Sequence, residues 1–174
     1  MSLHCARKGI IDLDGVVLAA MLAQNKTLRK LELEGNNLGP HSAYAFGRVL
    51  ETNTSLKYLD LESNQLTNNN EDSKGMIQML DFLDHNTTLR SLNLANNQMY
   101  EAIGAVLREK MERNTTLIDL DFSMNHFEIE DSRKIHEYLK RNKAIFDAER
   151  LKEWKERKLM RFEDQKLKEL YLQH

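Results

Sequence analysis

Asp119 and Asp121, two positions apart, and Tyr58 with Asp60 are the residues whose types and spacing could do chemistry. On an extended segment such pairs share a face. Two carboxylates there could hold a cation or exchange protons with a substrate. Standing on a polar face without a third partner, they read as solvated groups. Cys5 has Arg7 and Lys8 nearby, which would favour a thiolate. No His or Asp is placed beside it by sequence, so it reads as an inert thiol. The six histidines (His4, His41, His85, His126, His136 and His174) show neither H-E-x-x-H nor paired ligand spacing. C-x-x-C, G-x-x-x-x-G-K-[ST] and G-x-G-x-x-G are absent from the sequence. The expectation is a protein that is not an enzyme and that uses no cofactor or metal.

The elements that carry these residues come from a repeat. Four segments, Asn25–Asn36, Asn53–Asn64, Asn86–Asn97 and Asn114–Asn125, share the pattern N-x-[ST]-L-x-x-L-x-[LF]-x-x-N. Their starts, at 25, 53, 86 and 114, lie 28, 33 and 28 residues apart, and Asn142 falls 28 further on. A fixed period in this range marks stacked repeats that bury one continuous core. In the first full repeat Leu28, Leu31 and Leu33 point inward from a short strand, Asn36 turns the chain, and Leu38 anchors it again. Gly39-Pro40 then opens a helix, since proline is tolerated at the first helical position. Ala43, Phe46, Val49 and Leu50 recur at helical spacing. Later repeats answer with Met76, Met79, Leu80 and Leu83, then Ile103, Leu107 and Met111, then Ile135, Tyr138 and Leu139. The N-x-[ST] triplets have the form of glycosylation acceptors, but their register with the repeat predicts asparagines bonded to the backbone of a helix-to-strand turn.

These residues resemble the ribonuclease-inhibitor-like subfamily of leucine-rich repeats over residues 10–142, on the 28-residue period, the N-x-T-L start and the helix-length return. The resemblance implies an α/β fold, a right-handed βα solenoid with parallel strands inside the curve and helices outside. Relatives of this type include ribonuclease inhibitor, nucleotide-binding immune receptors, the GTPase-activating protein of Ran, tropomodulins and ciliary or axonemal proteins. The Ran-directed relatives carry a strongly acidic tail. Residues 143–174 here hold nine Lys/Arg and seven Asp/Glu, which fails that comparison.

Composition bounds the rest. The formal net charge of −2 calls for no nucleic acid. One cysteine fits a reducing compartment. The first thirty residues lack a secretory signal pattern and no apolar run reaches the roughly 18 residues of a membrane span. The expected location is therefore cytoplasmic, with the cytoskeleton or cilium included, and no membrane partner is expected.

Three departures from the repeat organise the chain. The second repeat is longer by five residues in Thr67–Gly75, a polar segment expected as an exposed loop. The N-terminus places Lys8 in the asparagine column and Ile10 in the Leu38 column, so residues 12–24 read as a helix whose strand would precede Met1. Either the chain is a piece of a longer protein, the favoured reading, or residues 1–11 form an irregular cap. Residues 1–142 are thus expected as a solenoid of one partial and four full repeats. Residues 143–174, without Gly or Pro, read as a separate charged helix. On it Leu151, Trp154 and Phe162 share one side, and Met160, Leu167, Leu170 and Tyr171 another. That is no heptad seam. It suggests one half capping the solenoid and the other meeting a partner.

The residues between the leucines form columns on the concave face. Glu32, Asp60, Asn93 and Asp121 make one, and Glu34, Glu62, Ala95 and Ser123 a second. Arg29, Lys57, Arg90 and Ile118 make a third, and Lys30, Tyr58, Ser91 and Asp119 a fourth. An acidic stripe thus lies beside a basic one. They either neutralise each other or offer an acidic groove to a basic peptide, with Tyr58 as aromatic anchor. The expected function is a protein–protein interaction scaffold whose contacts include Glu32, Glu34, Tyr58, Asp60, Glu62, Asp119, Asp121, Trp154 and Phe162. The alternative is a cytoskeletal assembly protein, either actin-capping and tropomodulin-like or axonemal.

Overall fold

Five three-residue strands alternate with five helices in a computed structural model that describes residues 1–171. The order is β1 (Ser2–His4), α1 (Asp12–Gln24), β2 (Lys30–Glu32), α2 (Pro40–Thr52), β3 (Tyr58–Asp60), α3 (Lys74–Leu83), β4 (Ser91–Asn93), α4 (Glu101–Arg113), β5 (Asp119–Asp121) and α5 (Ile129–Tyr171). The strands form one parallel sheet in chain order. Leu3, Leu31, Leu59, Leu92 and Leu120 sit side by side on successive rungs. Each strand is too short to stand alone. Its leucine is held by the helix that follows and by the repeats on either side. The α/β solenoid expected from the period is the observed fold.

Asparagine supplies the polar frame. Asn25, Asn53, Asn86 and Asn114 each accept two backbone N–H groups through their side-chain oxygen, at 2.7–3.0 Å, from the residues two and three further on. The amides of Asn53, Asn86 and Asn114 reach back to the previous repeat, as Asn53 does to the carbonyls of Leu22 and Asn25. The second column behaves alike. Asn64 donates to the carbonyls of Leu33, Leu61 and Glu62 and accepts from Leu38 N–H. Buried in this way, the N-x-[ST] asparagines serve the turn.

The structure corrects the reading of the N-terminus. Residues 2–4 are a strand paired with β2, Ser2 opposite Lys30 and Leu3 opposite Leu31. The 28-residue period already placed Leu3 in the Leu31 column. What obscured it is the polar company of Ser2, His4 and Cys5, because an edge strand carries only one neighbour's leucines. Cys5 occupies the Leu33 column and packs against the core, while Arg7 turns away to Glu34 at 2.7 Å.

The insertion in the second repeat is a tight turn. Asn68, Asn69 and Asn70 all adopt left-handed φ values of 44, 55 and 70°. Asparagine tolerates this region better than other side chains, which explains three in succession. Glu71 N–H then bonds Asn68 O at 3.0 Å and Asp72 N–H bonds Thr67 O at 3.0 Å. The detour delivers Gly75 against the backbone of Pro40 at the start of α2.

The C-terminal boundary also differs from expectation. The fourth repeat's helix does not end at Asn142; α5 runs unbroken from Ile129 to Tyr171. Asn142 still donates to the carbonyls of Asn114 and Leu117, both at 2.9 Å. Earlier repeats leave the helix because Thr or Ser and then an inward Leu follow the asparagine. Here Lys143 and Ala144 follow, both good helix formers, and no leucine pulls the chain inward. Arg141 caps the end of α4 by donating to the carbonyls of Met111, Glu112 and Asn114.

Candidate functional site

The concave columns are as expected from the pattern: Lys30, Tyr58, Ser91 and Asp119 stand in one row and Glu32, Asp60, Asn93 and Asp121 in the next. β1 extends them with Ser2 and His4. Every carboxylate in the two acidic columns has a partner within this chain. Glu32 meets Lys30 at 2.6 Å and also the His4 ring. Glu34 holds Arg7 at 2.7 Å. Glu62 accepts from the Asn93 amide at 2.9 Å. Asp121 accepts its neighbour's Ser123 N–H at 2.9 Å and Asp119 accepts the Ser91 hydroxyl at 2.7 Å. The acidic stripe is therefore largely spoken for, mostly by neutral or local donors.

Tyr58 and Asp60 form the most enclosed pair. The Tyr58 hydroxyl donates to Asp60 at 2.9 Å, Glu62 N–H donates to the other Asp60 oxygen at 3.0 Å, and Lys30 lies 4.5 Å from the Tyr58 ring centre. Burial, then the hydrogen bond and charge of Asp60, then the charges of Asp119 and Glu62 push the Tyr58 hydroxyl from 10.0 up to about 12. The neutral form is the one the fold favours. Its contribution to stability is complete below pH 10 and lost as pH rises from there toward about 12. An alkaline titration followed by tyrosinate absorbance should show one late step, and Tyr58→Phe should remove it.

The basic column behaves differently. Arg29 donates to Ser55 O and Arg90 to Thr116 O, each at 2.9 Å, so both guanidinium groups are held by carbonyls and not by carboxylates. Lys57 lies between them on the intervening rung. Burial and the charges of Arg90 and Arg29 lower its pKa. The end of this column escaped the sequence reading. Phe146 stands 28 residues after Ile118, the same interval that relates the repeats, and the Arg90 guanidinium lies 5.4 Å from its ring centre. Arg150 lies 5.7 Å from the same ring.

Beyond Phe146 all described side chains of α5 are exposed. Trp154 is 53% exposed and Phe162 64%, and Leu151, Leu159 and Met160 are similarly bare. The α5 side chains that pack against the solenoid lie between Ile135 and Phe146. Trp154 and Phe162 are brought neither to each other nor to the concave carboxylates. Lys158 sits 4.4 Å from the Trp154 ring centre. The side chains of Leu167, Leu170 and Tyr171, and His174 as a whole, lie outside the described residues. Among the described residues no group of three His, Cys, Asp or Glu could hold a metal ion, and no helix is long and apolar enough to cross a membrane.

Strands, asparagine ladder and helical return make up a leucine-rich-repeat fold, and the Leucine Rich repeat family model matches residues 24–47, 52–69 and 85–99. Among solved structures the chain is similar to leiomodin-1 actin-binding site 2, with a TM-score of 0.78 and 23% identity over 89% of this chain and 87% of that one. It is also similar to the tropomodulin C-terminal domain of Caenorhabditis elegans, with a TM-score of 0.74 and 19% identity over 86% and 88% of the two chains. At these identities the likeness is one of fold. No curated protein matches the chain.

Proposed function

We propose that this chain is a non-catalytic protein-binding scaffold whose partner is actin, engaged through the exposed side of α5. The observation that carries the reading is the bare apolar side of the helix beyond Phe146, where the Trp154 and Phe162 side chains stand exposed. Contiguous exposed apolar side chains mark sites of partner binding, and aromatic residues are enriched among binding anchors. The choice of actin is supported by the end-to-end likeness to leiomodin-1 actin-binding site 2. Lys155 and Lys158 lie on the same side of the helix and would steer it toward a negative surface.

Cosedimentation with filaments and fluorescence anisotropy with monomeric actin test this directly. Trp154→Ala with Phe162→Ala should weaken binding by about thirtyfold, the equivalent of about 2 kcal/mol for a truncated anchor. Its melting temperature should match that of the unaltered chain because both side chains are solvent-exposed. Reversing Glu32, Asp60 and Asp121 to lysine is the companion experiment. If that change abolishes binding while the helix variant retains it, the contact lies on the acidic columns and not on α5. Absence of binding to either form of actin would remove actin as the partner.

A further inference from the structure

We propose a second contact on the concave face, in which the row Arg29, Lys57, Arg90 and Arg150 receives an acidic polypeptide segment. The proposal rests on the protein-binding reading above but on a different surface and different residues. Three consecutive rungs of the sheet place Arg29, Lys57 and Arg90 side by side. The ladder bonds confirm the register, with Lys57 N–H on Arg29 O at 2.8 Å and Arg90 N–H on Lys57 O at 2.9 Å. Rungs of a sheet lie roughly 4.8 Å apart, so like charges are stacked at close range. None of the four is in an ion pair among the described residues, whereas Lys30 one column away has Glu32 at 2.6 Å.

Such a row works against its own fold. The depressed pKa of Lys57, caused by burial and by its two arginine neighbours, reports that repulsion. The arginines are also fixed. Each spends one Nη1 on a main-chain carbonyl, which orients the guanidinium and leaves its other donors free. Phe146 ends the row as an apolar stop between Arg90 and Arg150. The arrangement is a preorganised set of donors without an acceptor. Carboxylate side chains would both satisfy the forks and relieve the repulsion. In the acidic columns Glu32 and Glu34 are paired with Lys30 and Arg7, while Asp60, Glu62 and Asp121 accept only neutral donors. The basic row is a second charged strip beside them, of the polarity opposite to the acidic groove expected from sequence.

The test uses the full chain and a fluorescein-labelled deca-glutamate peptide, with deca-lysine as the opposite probe. Anisotropy at low ionic strength should show deca-glutamate binding that weakens steeply as salt is added. Arg29→Gln, Lys57→Gln and Arg90→Gln combined should weaken it by at least about tenfold. Arg29→Lys with Arg90→Lys keeps the charge and should retain most of the binding, which separates charge from loss of the carbonyl bonds. Circular dichroism and a cooperative melt establish that each variant is folded. Lys152→Gln, Lys155→Gln and Lys158→Gln on α5 should leave peptide binding unchanged. Binding of deca-lysine alone, no binding of deca-glutamate, an unaffected triple variant, or an equal loss in the α5 variant would each overturn the proposal. None of these results bears on the actin assay with the Trp154 and Phe162 variant, so the two readings fail separately.

Discussion

Asn64→Ala should lower stability by about 2–3 kcal/mol, measured as the shift in urea midpoint at constant slope. Asn64 is 4% exposed and sits in the middle of the stack. Its amide serves three carbonyls, those of Leu33, Leu61 and Glu62, and its oxygen serves Leu38 N–H. Alanine leaves Leu38 N–H without a partner, while the carbonyls of Leu33, Leu61 and Glu62 each lose one of two donors and keep the Asn36 amide, the Asn97 amide and Gly35 N–H. The orphaned N–H costs about 1–3 kcal/mol when buried, and the three lost second bonds add less than a sole bond would. The same change at Asn36 should cost less. Asn36 makes equivalent bonds to Cys5, Leu33, Lys8 and Ile10, but these join the first repeat to the second. A defect there lets one repeat fray, whereas a defect in the middle of the stack divides it. Equal costs at the two positions would contradict this account.

Gly75→Ala should cost about 3 kcal/mol, near the upper end of what overpacking does. A Cβ on Gly75 would lie 2.0 Å from the carbonyl oxygen of Pro40 and 2.8 Å from its carbon. These are main-chain atoms at the first turn of α2, so no side chain can rotate out of the way. Either α3 moves outward and loses the burial of Met76 and Met79, or the Asn68–Asn70 turn changes shape. Thermal melting read by circular dichroism measures the loss. A melting temperature within about 2 °C of the parent would show that the insertion has slack where the structure shows contact.

The helix positions illustrate how far a pattern can be read. Residues 12–24 were expected as a helix from Gly15, Leu18, Met21 and Leu22, and α1 occupies that range. Gly39-Pro40 was expected to open a helix and does so at α2. The strand before α1 is hidden in the sequence because Leu3, 28 residues before Leu31, stands among Ser2, His4 and Cys5. The helix runs through 142 for a different reason. A repeat rule marks where a helix ought to stop, and Asn142 obeys the rule in its hydrogen bonds, yet nothing after it draws the chain away from helical geometry.

By itself the amino-acid sequence determined the solenoid. Leucines at fixed intervals must be buried, asparagines at fixed intervals must satisfy the buried turns, and only a stack of strand-and-helix units does both. It also placed each charged residue of the concave face in its column. Only the tertiary structure decided which of those charges find an opposite charge. Lys30 turns to Glu32 and Arg7 to Glu34, Asp60 takes the neutral Tyr58 hydroxyl, and Arg29 and Arg90 turn to carbonyls and leave Lys57 between two like charges. These choices depend on rotamers and on carbonyls supplied by the neighbouring repeat, about 26 residues away in the chain. Neither is encoded in the local pattern. The direction of α5 beyond Phe146 is likewise a property of packing. Its residues are helical by composition, but whether Trp154 and Phe162 meet the solenoid depends on where the last repeat points the helix axis.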